Sequence, residues 1–396
     1  MTEIGTYCKG LIEKICSKFG SRPSCSEESR ATARFIQEEM DKYCQEVEMD
    51  EFKGFPSFFK PLIGYSSVTA LGYFISLILY FIIPILAIII SVLAIYASVF
   101  KIFSLEEYDI FYYVYPKRKG INVIGKIKPK GEAKKLVILG GHHDSPYYFP
   151  LYWKFKEKLV SFVYSLFGFA VIFYICVIYK VISQFTGFIN IIFELIIIIP
   201  IVGCVFIGIF WLFFISRFKT LGANDNLSAV SVCLGTAREL SKIPLDNTEV
   251  WIISFDAEES GMRGSKTFVN KRIDLLKQRL TACMNFDIVG VDENLLLPTK
   301  ESMYRATHSP EVYEKYKEAA DALEIPIQIK KVPFGGTDSA PFSRAGLKAA
   351  SLLRMDDTGW PTIWHSKNDI PENIQADKLE DVVNINVKFL SMIDKE

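Results

Sequence analysis

Two long stretches of apolar sequence constrain the fold of this chain more than any other feature. The first, Pro61–Phe100, contains no Asp, Glu, Lys, Arg or His. The second, Leu159–Ser216, is interrupted by Glu194 and by a short polar stretch around Lys180. A helix of roughly 20 residues crosses the hydrocarbon core of a bilayer. Apolar stretches of this length therefore predict membrane-spanning helices.

We predict four membrane spans arranged as two helical hairpins. Pro84 lies near the middle of the first stretch, where a proline fits a tight turn between antiparallel helices. Pro200 is expected to kink the fourth span, and Glu194 is expected to lie at the membrane interface. A polar stretch around Lys180 should separate the third and fourth spans. The predicted spans are Leu62–Ile82, Ile85–Phe100, Leu159–Tyr179 and Leu195–Ser216.

These spans divide the chain into one discontinuous soluble domain and two hairpins. Two complete hairpins would leave all soluble segments on one side of the membrane. Almost all Lys and Arg residues that flank the spans lie on that side, whereas the opposite turns offer only Lys180. The positive-inside rule therefore predicts a multi-pass protein in the lipid bilayer with a cytoplasmic domain. The soluble segments are 1–60, 104–157 and 217–396, and the hairpins are 61–103 and 158–216.

Composition and missing motifs exclude several classes of protein. The formal net charge is zero, which argues against a nucleic-acid partner. The 31 Phe and 19 Tyr residues are too many for a disordered chain. The eight cysteines form no Cys-x-x-Cys pair, which agrees with a reducing compartment. No His-Glu-x-x-His, Walker loop or Gly-x-Ser-x-Gly elbow occurs in the sequence.

The soluble segments alternate strand-like and helical patterns, which is typical of an α/β fold. A capping-box pattern, Ser24-Cys25-Ser26-Glu27, predicts a helix that runs to about Tyr43. Strands are predicted at Ile121–Ile127, Lys135–Leu139, Val250–Phe255, Thr281–Phe286 and Ala349–Leu353, and helices at Asn226–Leu240, Pro310–Leu323 and Ala376–Ile393. We therefore expect a mixed, mostly parallel sheet with helices on both faces, interrupted by the two transmembrane hairpins.

Histidines are rare in this chain, and three of the four lie in two short motifs. His142 and His143 follow the predicted strand that ends in Gly-Gly, and His365 follows Trp364. His142 and Asp144 would share one face of an extended segment, so the carboxylate could orient a metal-bound imidazole. Taken alone, an ordinary strand-end turn explains this pair better. His308, which stands alone before a proline, is expected to be structural or solvated.

Carboxylates also follow the predicted strands. Asp225 stands at the start of a helix, where an Asp usually serves only as a cap. Glu258 and Glu259 are adjacent, so their side chains diverge; one could bind metal while the other transfers protons. Asp287 would be costly to bury unless it is paired or metal-bound. Each residue has an ordinary structural explanation, but their accumulation at the ends of separate elements predicts a metal site.

These residues resemble the co-catalytic zinc aminopeptidases of metallopeptidase family 28, whose relatives include glutamate carboxypeptidase and glutaminyl cyclases. The matching motifs occur in the family's order. They are Gly-Gly-His142-His143-Asp144-Ser, Gly222-Ala-Asn-Asp225-Asn-Leu-Ser, Ala-Glu258-Glu259-Ser-Gly, Asn-Phe-Asp287-Ile-Val-Gly and Trp-His365-Ser, with Gly20-Ser-Arg-Pro-Ser before them and Gly336-Thr-Asp-Ser-Ala-Pro-Phe342 between the last two.

The resemblance implies a role for each of these residues in binding two zinc ions. Asp225 would bridge the ions. His142 and Asp287 would complete the protein ligands of one, and Glu259 and His365 those of the other. Glu258 would be the general base, and Asp144 would orient His142. The resemblance also suggests a strained, possibly cis, peptide between Asp225 and Asn226.

Three positions depart from the family's pattern. His143 stands where an aromatic or apolar residue is frequent, and packing is its expected role. Asn224 replaces a frequent Asp and is not expected to bind metal. Ser339 follows Asp338 where relatives often carry a His, which leaves its role open.

The implied activity is that of an exopeptidase acting on peptides, with an aminopeptidase as the leading interpretation. A carboxypeptidase, a glutaminyl cyclase-like enzyme and a non-catalytic membrane scaffold on the same fold remain alternatives. Asp225 lies about eight residues after the fourth predicted span, and eight extended residues reach at most about 28 Å. The site is therefore expected close to the bilayer. Whether its substrates come from the membrane or from solution stays open, as does the oligomeric state.

Overall fold

The structure is a computed structural model that describes residues 3–54, 56, 59–104, 116–150, 153, 158–203, 218–332, 335–357 and 359–396. The chain divides into two compact units, described separately below. The sheet unit comprises Met1–Ser57, Pro116–Tyr148 and Phe218–Glu396, and the helical unit comprises Phe58–Tyr115 and Phe149–Arg217.

The sheet unit contains one mixed sheet of nine strands within the described residues. Its order is β1-β2-β4-β3-β5-β9-β6-β7, and β8 pairs with β6. The strands are β1 Glu46–Gly54, β2 Arg118–Ile127, β3 Lys135–His142, β4 Thr248–Phe255, β5 Leu280–Asp287, β6 Asn294–Glu301, β7 Ala306–Thr307, β8 Ile327–Val332 and β9 Ala349–Met355.

Helices make up most of the remaining described structure. They are α1 Glu3–Phe19, α2 Glu27–Met40, α3 Phe59–Ile82, α4 Pro84–Ser104, α5 Lys158–Thr186, α6 Ile191–Ile196, α7 Ser228–Lys242, α8 Arg263–Arg279, α9 Pro310–Asp321, α10 Ser339–Arg344 and α11 Ala376–Lys395. The helices α3 to α6 belong to the helical unit.

Parallel pairing is concentrated at the centre of the sheet. Strands β4, β3, β5 and β9 are parallel neighbours, whereas β2 pairs antiparallel with both β1 and β4, and β6 pairs antiparallel with β9. The prediction of a mixed sheet is confirmed, but the sheet is less parallel than expected. The reason is that β1, β2, β6 and β7 join the sheet through antiparallel pairs, which need no crossover helix, although β8 pairs parallel with β6. In the β1–β2 pair, the last residue, Gly54, lies opposite Arg118.

Helices cover both faces of the sheet, as predicted. Along β3, Val137 and Leu139 pack in one buried cluster with α1, α7 and α11. Leu136 and Ile138 pack in a second cluster with α8 and α10. Alternate residues of a strand point to opposite faces. The complete burial of all four side chains therefore follows from a strand covered on both sides.

The ends of several predicted elements needed correction. The cap of α2 is Ser26, whose side chain accepts from the backbone of Ser29, rather than the expected Ser24. The helix ends at Met40 instead of Tyr43. No element was predicted for α1, β1, α8, β6 or β8. Strand β8 alternates the buried Ile327 and the half-buried Ile329 with exposed Gln and Lys, which gives a weak apolar signal.

The helical unit agrees only in part with the predicted spans. One described helical segment, Gly168–Thr186 in α5, is long and apolar enough to cross a membrane. Shorter apolar segments lie at Ala70–Ile82, Pro84–Ala94 and Ile191–Gly203. Pro84 is the first residue of α4, as expected for a turn between helices. Residues 204–216 of the fourth predicted span lie outside the described residues.

The boundary between the third and fourth predicted spans was placed too early. Helix α5 continues through Lys180 to Thr186, so the separating loop is 187–190. The Lys180 ammonium lies 2.5 Å from a carboxylate oxygen of Glu194, and this ion pair explains why a lysine remains helical here. The next helix is interrupted at Ile197. Pro200 lies three residues further on and blocks the hydrogen bond to the preceding turn.

We predict that Gly141→Ala destabilises the sheet unit by about 1–3 kcal/mol, the usual cost of overpacking. A Cβ atom at Gly141 would lie 2.4 Å from the Cβ of Ala229 in α7. The control is Gly10→Ala in α1, where nothing lies within 4 Å of the added atom. That variant should gain about 0.5–1 kcal/mol from helix propensity. Denaturant unfolding of both variants measures the difference, and equal midpoints would contradict the prediction.

Candidate metal centre

The predicted site residues meet at one edge of the sheet. Strand β3 ends at His142 and its parallel neighbour β5 ends at Asp287. The other parallel neighbour, β4, ends just before the loop that carries Glu258 and Glu259. Because the strands are parallel, their carboxyl ends lie at the same edge. Asp225, the remaining carboxylate, comes from the turn that precedes α7.

The turn before α7 brings Asp225 close to the strand ends. It begins after Gly222, whose φ of 61° lies in the left-handed region. An added Cβ at Gly222 would lie 2.5 Å from the Asp225 carbonyl oxygen, so a larger residue does not fit there. The Asp225–Asn226 peptide is cis, as the family resemblance suggested.

Two overlapping sets of side chains could each hold a metal ion. One set is His142, Asp225 and Asp287; the other is Asp225, Glu259 and His365. Within each set, the potential ligand atoms lie within 4.8 Å of one another. Asp225 belongs to both sets: its Oδ1 is 3.4 Å from His142 Nε2, and its Oδ2 is 3.5 Å from His365 Nε2. The five residues expected to bind metal are therefore brought together.

The spacing of these atoms fits a zinc ion better than it fits direct hydrogen bonds. His142 Nε2 lies 3.9 Å from Asp287 Oδ1, and neither atom has a hydrogen-bond partner among the described residues. His365 Nε2 lies 3.5 Å from Glu259 Oε2. A tetrahedral zinc ion with bonds of about 2.0–2.1 Å holds its ligands roughly 3.3–3.4 Å apart. Imidazole and carboxylate are also ligands that zinc accepts.

Buried negative charge is the main electrostatic property of the site. Burial, with a contribution from the Asp287 charge, raises the pKa of Asp225 to about 8. Burial likewise raises the pKa of Asp287 to about 7, and it raises the pKa values of Glu258 and Glu259 well above their usual range. A bound cation would remove much of the repulsion between these carboxylates.

Both candidate histidine ligands are held by backbone carbonyls. His365 Nδ1 donates to the carbonyl of Tyr147 (3.1 Å), which leaves Nε2 as an acceptor facing Asp225 and Glu259. Burial lowers the pKa of His365 to about 3, so its imidazole is neutral and can bind a metal. His142 Nδ1 lies 3.2 Å from the carbonyl of Asp144. Burial by itself would lower the pKa of His142. The surrounding carboxylates outweigh this effect and raise the pKa well above its usual value.

Asp144 does more than the sequence suggested. Its carboxylate lies 3.4 Å from His142 Nδ1, in agreement with an orienting role. It also accepts hydrogen bonds from the backbone amides of Glu258 (3.1 Å) and Glu259 (3.2 Å) and from the Ser24 hydroxyl (2.6 Å). One buried carboxylate therefore holds the histidine and the two-glutamate loop in place.

The residues that depart from the family pattern have structural contacts. His143 Nδ1 lies 2.9 Å from the Ser254 hydroxyl, and burial lowers its pKa to about 3. The side-chain oxygen of Asn224 accepts from the amide of Gly290 (2.8 Å). Ser339 donates to the Ala350 carbonyl (2.6 Å). His308 is buried between Ser343 and Glu301, in agreement with its predicted structural role.

Two charged residues that sequence reasoning did not assign hold the Asp225 turn. The Asp369 carboxylate accepts from the backbone amides of Asn224 (2.5 Å) and Asp225 (3.2 Å). Arg22 is fully buried and donates to the carbonyls of Leu221 (2.8 Å) and Gly222 (3.1 Å). Asp369 lies four residues after His365, so it connects the histidine loop to the Asp225 turn. Its position three residues after the Trp-His-Ser motif was the available signal.

A short antiparallel ladder lies next to His365. Tyr147 pairs with Lys219, and the amide of Tyr148 donates to the carbonyl of Phe218 (3.0 Å). The amide of Thr220 donates to the carbonyl of Pro146 (3.0 Å). These segments are the points where the chain leaves the sheet unit and returns to it. His365 is therefore oriented by Tyr147, two positions before the chain enters the helical unit at Phe149.

Part of this chain is similar in sequence to known peptidases. Residues 211–390 match Peptidase family M28. Aminopeptidase YwaD of Bacillus subtilis (strain 168) is 31% identical over 165 residues, which cover 40% of this chain. The curated relatives that the chain matches are aligned over only 30–35% of their own length.

The fold extends over nearly the whole chain. A zinc aminopeptidase from Bacillus subtilis, BSAP, superposes with a TM-score of 0.60 at 16% identity, covering 99% of this chain and 96% of that one. A Bacteroides thetaiotaomicron glutaminyl cyclase superposes with a TM-score of 0.58 at 15% identity, covering 98% and 97%. The protein therefore has a zinc aminopeptidase-like fold. Together with the matched sequence segment, this supports a zinc metallopeptidase.

We predict that Asp369→Ala weakens zinc binding at Asp225, Glu259 and His365 by about 10- to 100-fold, as removal of an outer-shell partner usually does. The matched control is Asp394→Ala. The Asp394 carboxylate also accepts from two consecutive backbone amides, those of Asp246 and Asn247, at the opposite end of β4. Competition with a chelator measures the affinity. Similar zinc affinities for both variants would assign Asp369 a general structural role instead.

Proposed function

We propose that the protein is a membrane-anchored, zinc-dependent aminopeptidase that binds two zinc ions. The observation that carries the proposal is the pair of metal-ligand sets joined by Asp225. One ion would be held by His142, Asp225 and Asp287, and the other by Asp225, Glu259 and His365. Shared carboxylates and imidazoles suit a pair of zinc ions. When bound, such ions lower the pKa of a coordinated water and polarise a substrate carbonyl.

Glu258 is the proposed general base. The two adjacent glutamates diverge: Glu258 Oε2 lies 3.7 Å from His142 Nε2, whereas Glu259 Oε2 lies 3.5 Å from His365 Nε2. A third set, His142, Glu258 and Glu259, also has metal-ligand spacing. We assign Glu259 as the ligand because it joins the set that includes His365 and Asp225. Glu258 then remains available for proton transfer.

The chain's own residues account for the proton movements of peptide hydrolysis. Glu258 would take a proton from the attacking water and deliver it to the departing amine. Asp144 fixes the backbone of Glu258, so the carboxylate is positioned without contact between Asp144 and substrate. The side chain of Glu258 is more exposed than those of Glu259 and His142, which suits a group that must reach a substrate.

Aminopeptidase activity is favoured over the other exopeptidase classes by the sequence relatives. YwaD carries the name of an aminopeptidase and is 31% identical to this chain over the aligned segment. The solved structures are at most 16% identical, so they are similar to this chain mainly in fold. The fold does not separate the alternatives, because a glutaminyl cyclase superposes nearly as well as BSAP. The complete set of proposed ligands and Glu258 argue against a non-catalytic scaffold.

The helical unit is the proposed membrane anchor. The apolar segment Gly168–Thr186 supports one crossing. Each insertion starts and ends at paired positions of the sheet unit, Gly54 with Arg118 and Tyr147 with Lys219. An insertion whose ends meet on one side must cross the bilayer an even number of times. This supports two hairpins at 61–103 and 158–216.

The same reasoning assigns the rest of the chain to one domain on one side. We propose that 1–60, 104–157 and 217–396 form the discontinuous peptidase domain. The flanking Lys and Arg residues favour a cytoplasmic location for it. Whether its substrates are soluble peptides or fragments of membrane proteins is a separate question.

We predict that Glu258→Gln retains zinc but lowers kcat by at least about 100-fold, because the general base is lost while the ligand sets remain. Hydrolysis of a panel of amino-acyl amides and zinc analysis of the purified protein provide the measurements. The control is Glu249→Gln, a buried glutamate at the opposite end of β4 that accepts from Trp251 and Arg279. Undiminished activity of Glu258→Gln would remove this residue from the mechanism.

We predict that a single cysteine at Phe188 reacts with a membrane-impermeant reagent in intact cells, whereas one at Lys130 reacts only after permeabilisation. Phe188 is exposed in the loop between α5 and α6, and Lys130 lies in the sheet unit. Both positions are tested in a background without the natural cysteines. Labelling of Lys130→Cys in intact cells would reverse the proposed orientation. Equal labelling of both before permeabilisation would contradict the hairpin.

A further inference from the structure

Asp338 is a buried acid beside the candidate metal centre that belongs to neither ligand set. Its side chain is 3% exposed. Oδ1 accepts a hydrogen bond from the Ser265 hydroxyl (2.5 Å), but Oδ2 has no hydrogen-bond partner among the described residues. A buried carboxylate oxygen without a donor is costly. A ligand that donates to this oxygen would remove that cost.

The contacts of Ser339 connect Asp338 to the part of the sheet that carries the metal-binding residues. Gly140 and Asn285 are paired neighbours on β3 and β5, and His142 and Asp287 follow them by two residues. These pairs therefore point to the same face, one pleat apart. The Asn285 side chain donates to the Ser339 hydroxyl (2.9 Å). Ser339 therefore lies next to Asn285, two residues before Asp287 on β5. Asp338 directly precedes Ser339, so it also lies near this end of β5.

Electrostatic coupling agrees with this position. The charge of Asp338 contributes to the raised pKa values of both Glu258 and Asp287, and His142 is the neighbouring group that most favours the charged form of Asp338. No ion pair joins any of these acids to a Lys or Arg within the described ranges. Arg22 donates instead to backbone carbonyls of the Asp225 turn.

We propose that Asp338 binds the α-ammonium group of the peptide substrate and so selects peptides with a free amino terminus. The inference rests on the proposed peptidase function and deepens it. An ammonium group offers three donors and a positive charge, which suit an unpaired carboxylate oxygen among other carboxylates. A carboxypeptidase would instead need a cationic side chain to bind its substrate's terminal carboxylate.

Other parts of the structure hold Asp338 ready for this role. The preceding residue, Thr337, donates through its amide (3.1 Å) and hydroxyl (2.7 Å) to the buried carboxylate of Glu301. Glu301 is fixed in turn by His308 (3.1 Å). With Ser265 on Oδ1, these contacts leave Oδ2 as the oxygen available to a ligand. A preorganised acceptor binds more tightly than a mobile one.

The test compares two ligands that differ only in the amine. L-Leucine hydroxamate and 4-methylpentanohydroxamate share the metal-binding group and side chain, but the second lacks the α-amino group. Calorimetry with the zinc-loaded full-length protein measures binding, and hydrolysis of leucine amide supplies kcat and KM. We expect the wild type to prefer the amine-bearing ligand by about 10- to 100-fold, which is the usual worth of a charge-assisted hydrogen bond.

The variant Asp338→Asn should lose most of this preference while still binding the amine-free ligand. Its side-chain oxygen can still accept from Ser265, and its amide replaces the carboxylate oxygen that faces the site. Asp338→Glu keeps the charge and should keep part of the preference. Ser265→Ala is the matched control: it removes the hydrogen bond to Oδ1 but leaves the charge, so the preference should change by less than about threefold.

The outcomes separate this inference from the proposed function. An unchanged preference in Asp338→Asn overturns the inference. Equal weakening of both ligands also overturns it, because it indicates a structural role; zinc content and thermal stability provide the check. If Asp338→Asn does not fold, Asp338→Glu is compared with Ser265→Ala. The inference then requires a smaller preference for the amine-bearing ligand in Asp338→Glu than in Ser265→Ala. A wild type that hydrolyses leucine amide without any amine preference contradicts the inference alone. A wild type that hydrolyses no peptide or amide contradicts the proposed function as well.

Discussion

Repulsion among buried carboxylates is the constraint on which the rest of the structure depends. Asp225, Asp287 and the two glutamates lie together at the carboxyl edge of the sheet, where burial raises their pKa values. Repulsion would move these side chains apart unless hydrogen bonds from other residues fixed the backbone that carries them. Asp144 holds the glutamate loop, and Asp369 with Arg22 holds the Asp225 turn. The energy that keeps the acids together comes from the surrounding fold, and cations would then stabilise them in place.

The site is therefore built in two layers with different chemistry. The inner layer has oxygen and nitrogen atoms 3.4–3.9 Å apart, too far for hydrogen bonds with one another. The outer layer consists of hydrogen bonds at 2.5–3.2 Å between side chains and main-chain groups. This division explains why unsatisfied atoms occur at His142 and Asp287 but not at the residues that hold them.

Much of the fold and site could be predicted because the informative residues lie next to strong local signals. His142 and Asp287 end strands that are almost wholly apolar, so their place at the sheet edge followed from the pattern. Asp369 was missed because its importance depends on the Asn224 and Asp225 amides, which are about 145 positions earlier. Strand β8 was missed because its exposed Lys and Gln residues weaken the alternation. The end of α5 was placed too early because the Lys180–Glu194 pair neutralises a charge that looked like a helix boundary. Contacts between distant positions account for the errors at Asp369 and at the end of α5, whereas a weak local signal accounts for the error at β8.

The pairing of Gly54 with Arg118 and of Tyr147 with Lys219 has a consequence for how this architecture arose. Opposed residues of an antiparallel pair lie about 5 Å apart, a gap that a turn of two to five residues can also close. Both apolar segments thus occupy places where an ordinary hairpin turn could connect the two paired residues. Removing or lengthening them leaves the pairing of the sheet strands intact. A shorter ancestor could accordingly have acquired both apolar segments by lengthening two loops of the sheet unit, while the sheet itself stayed the same.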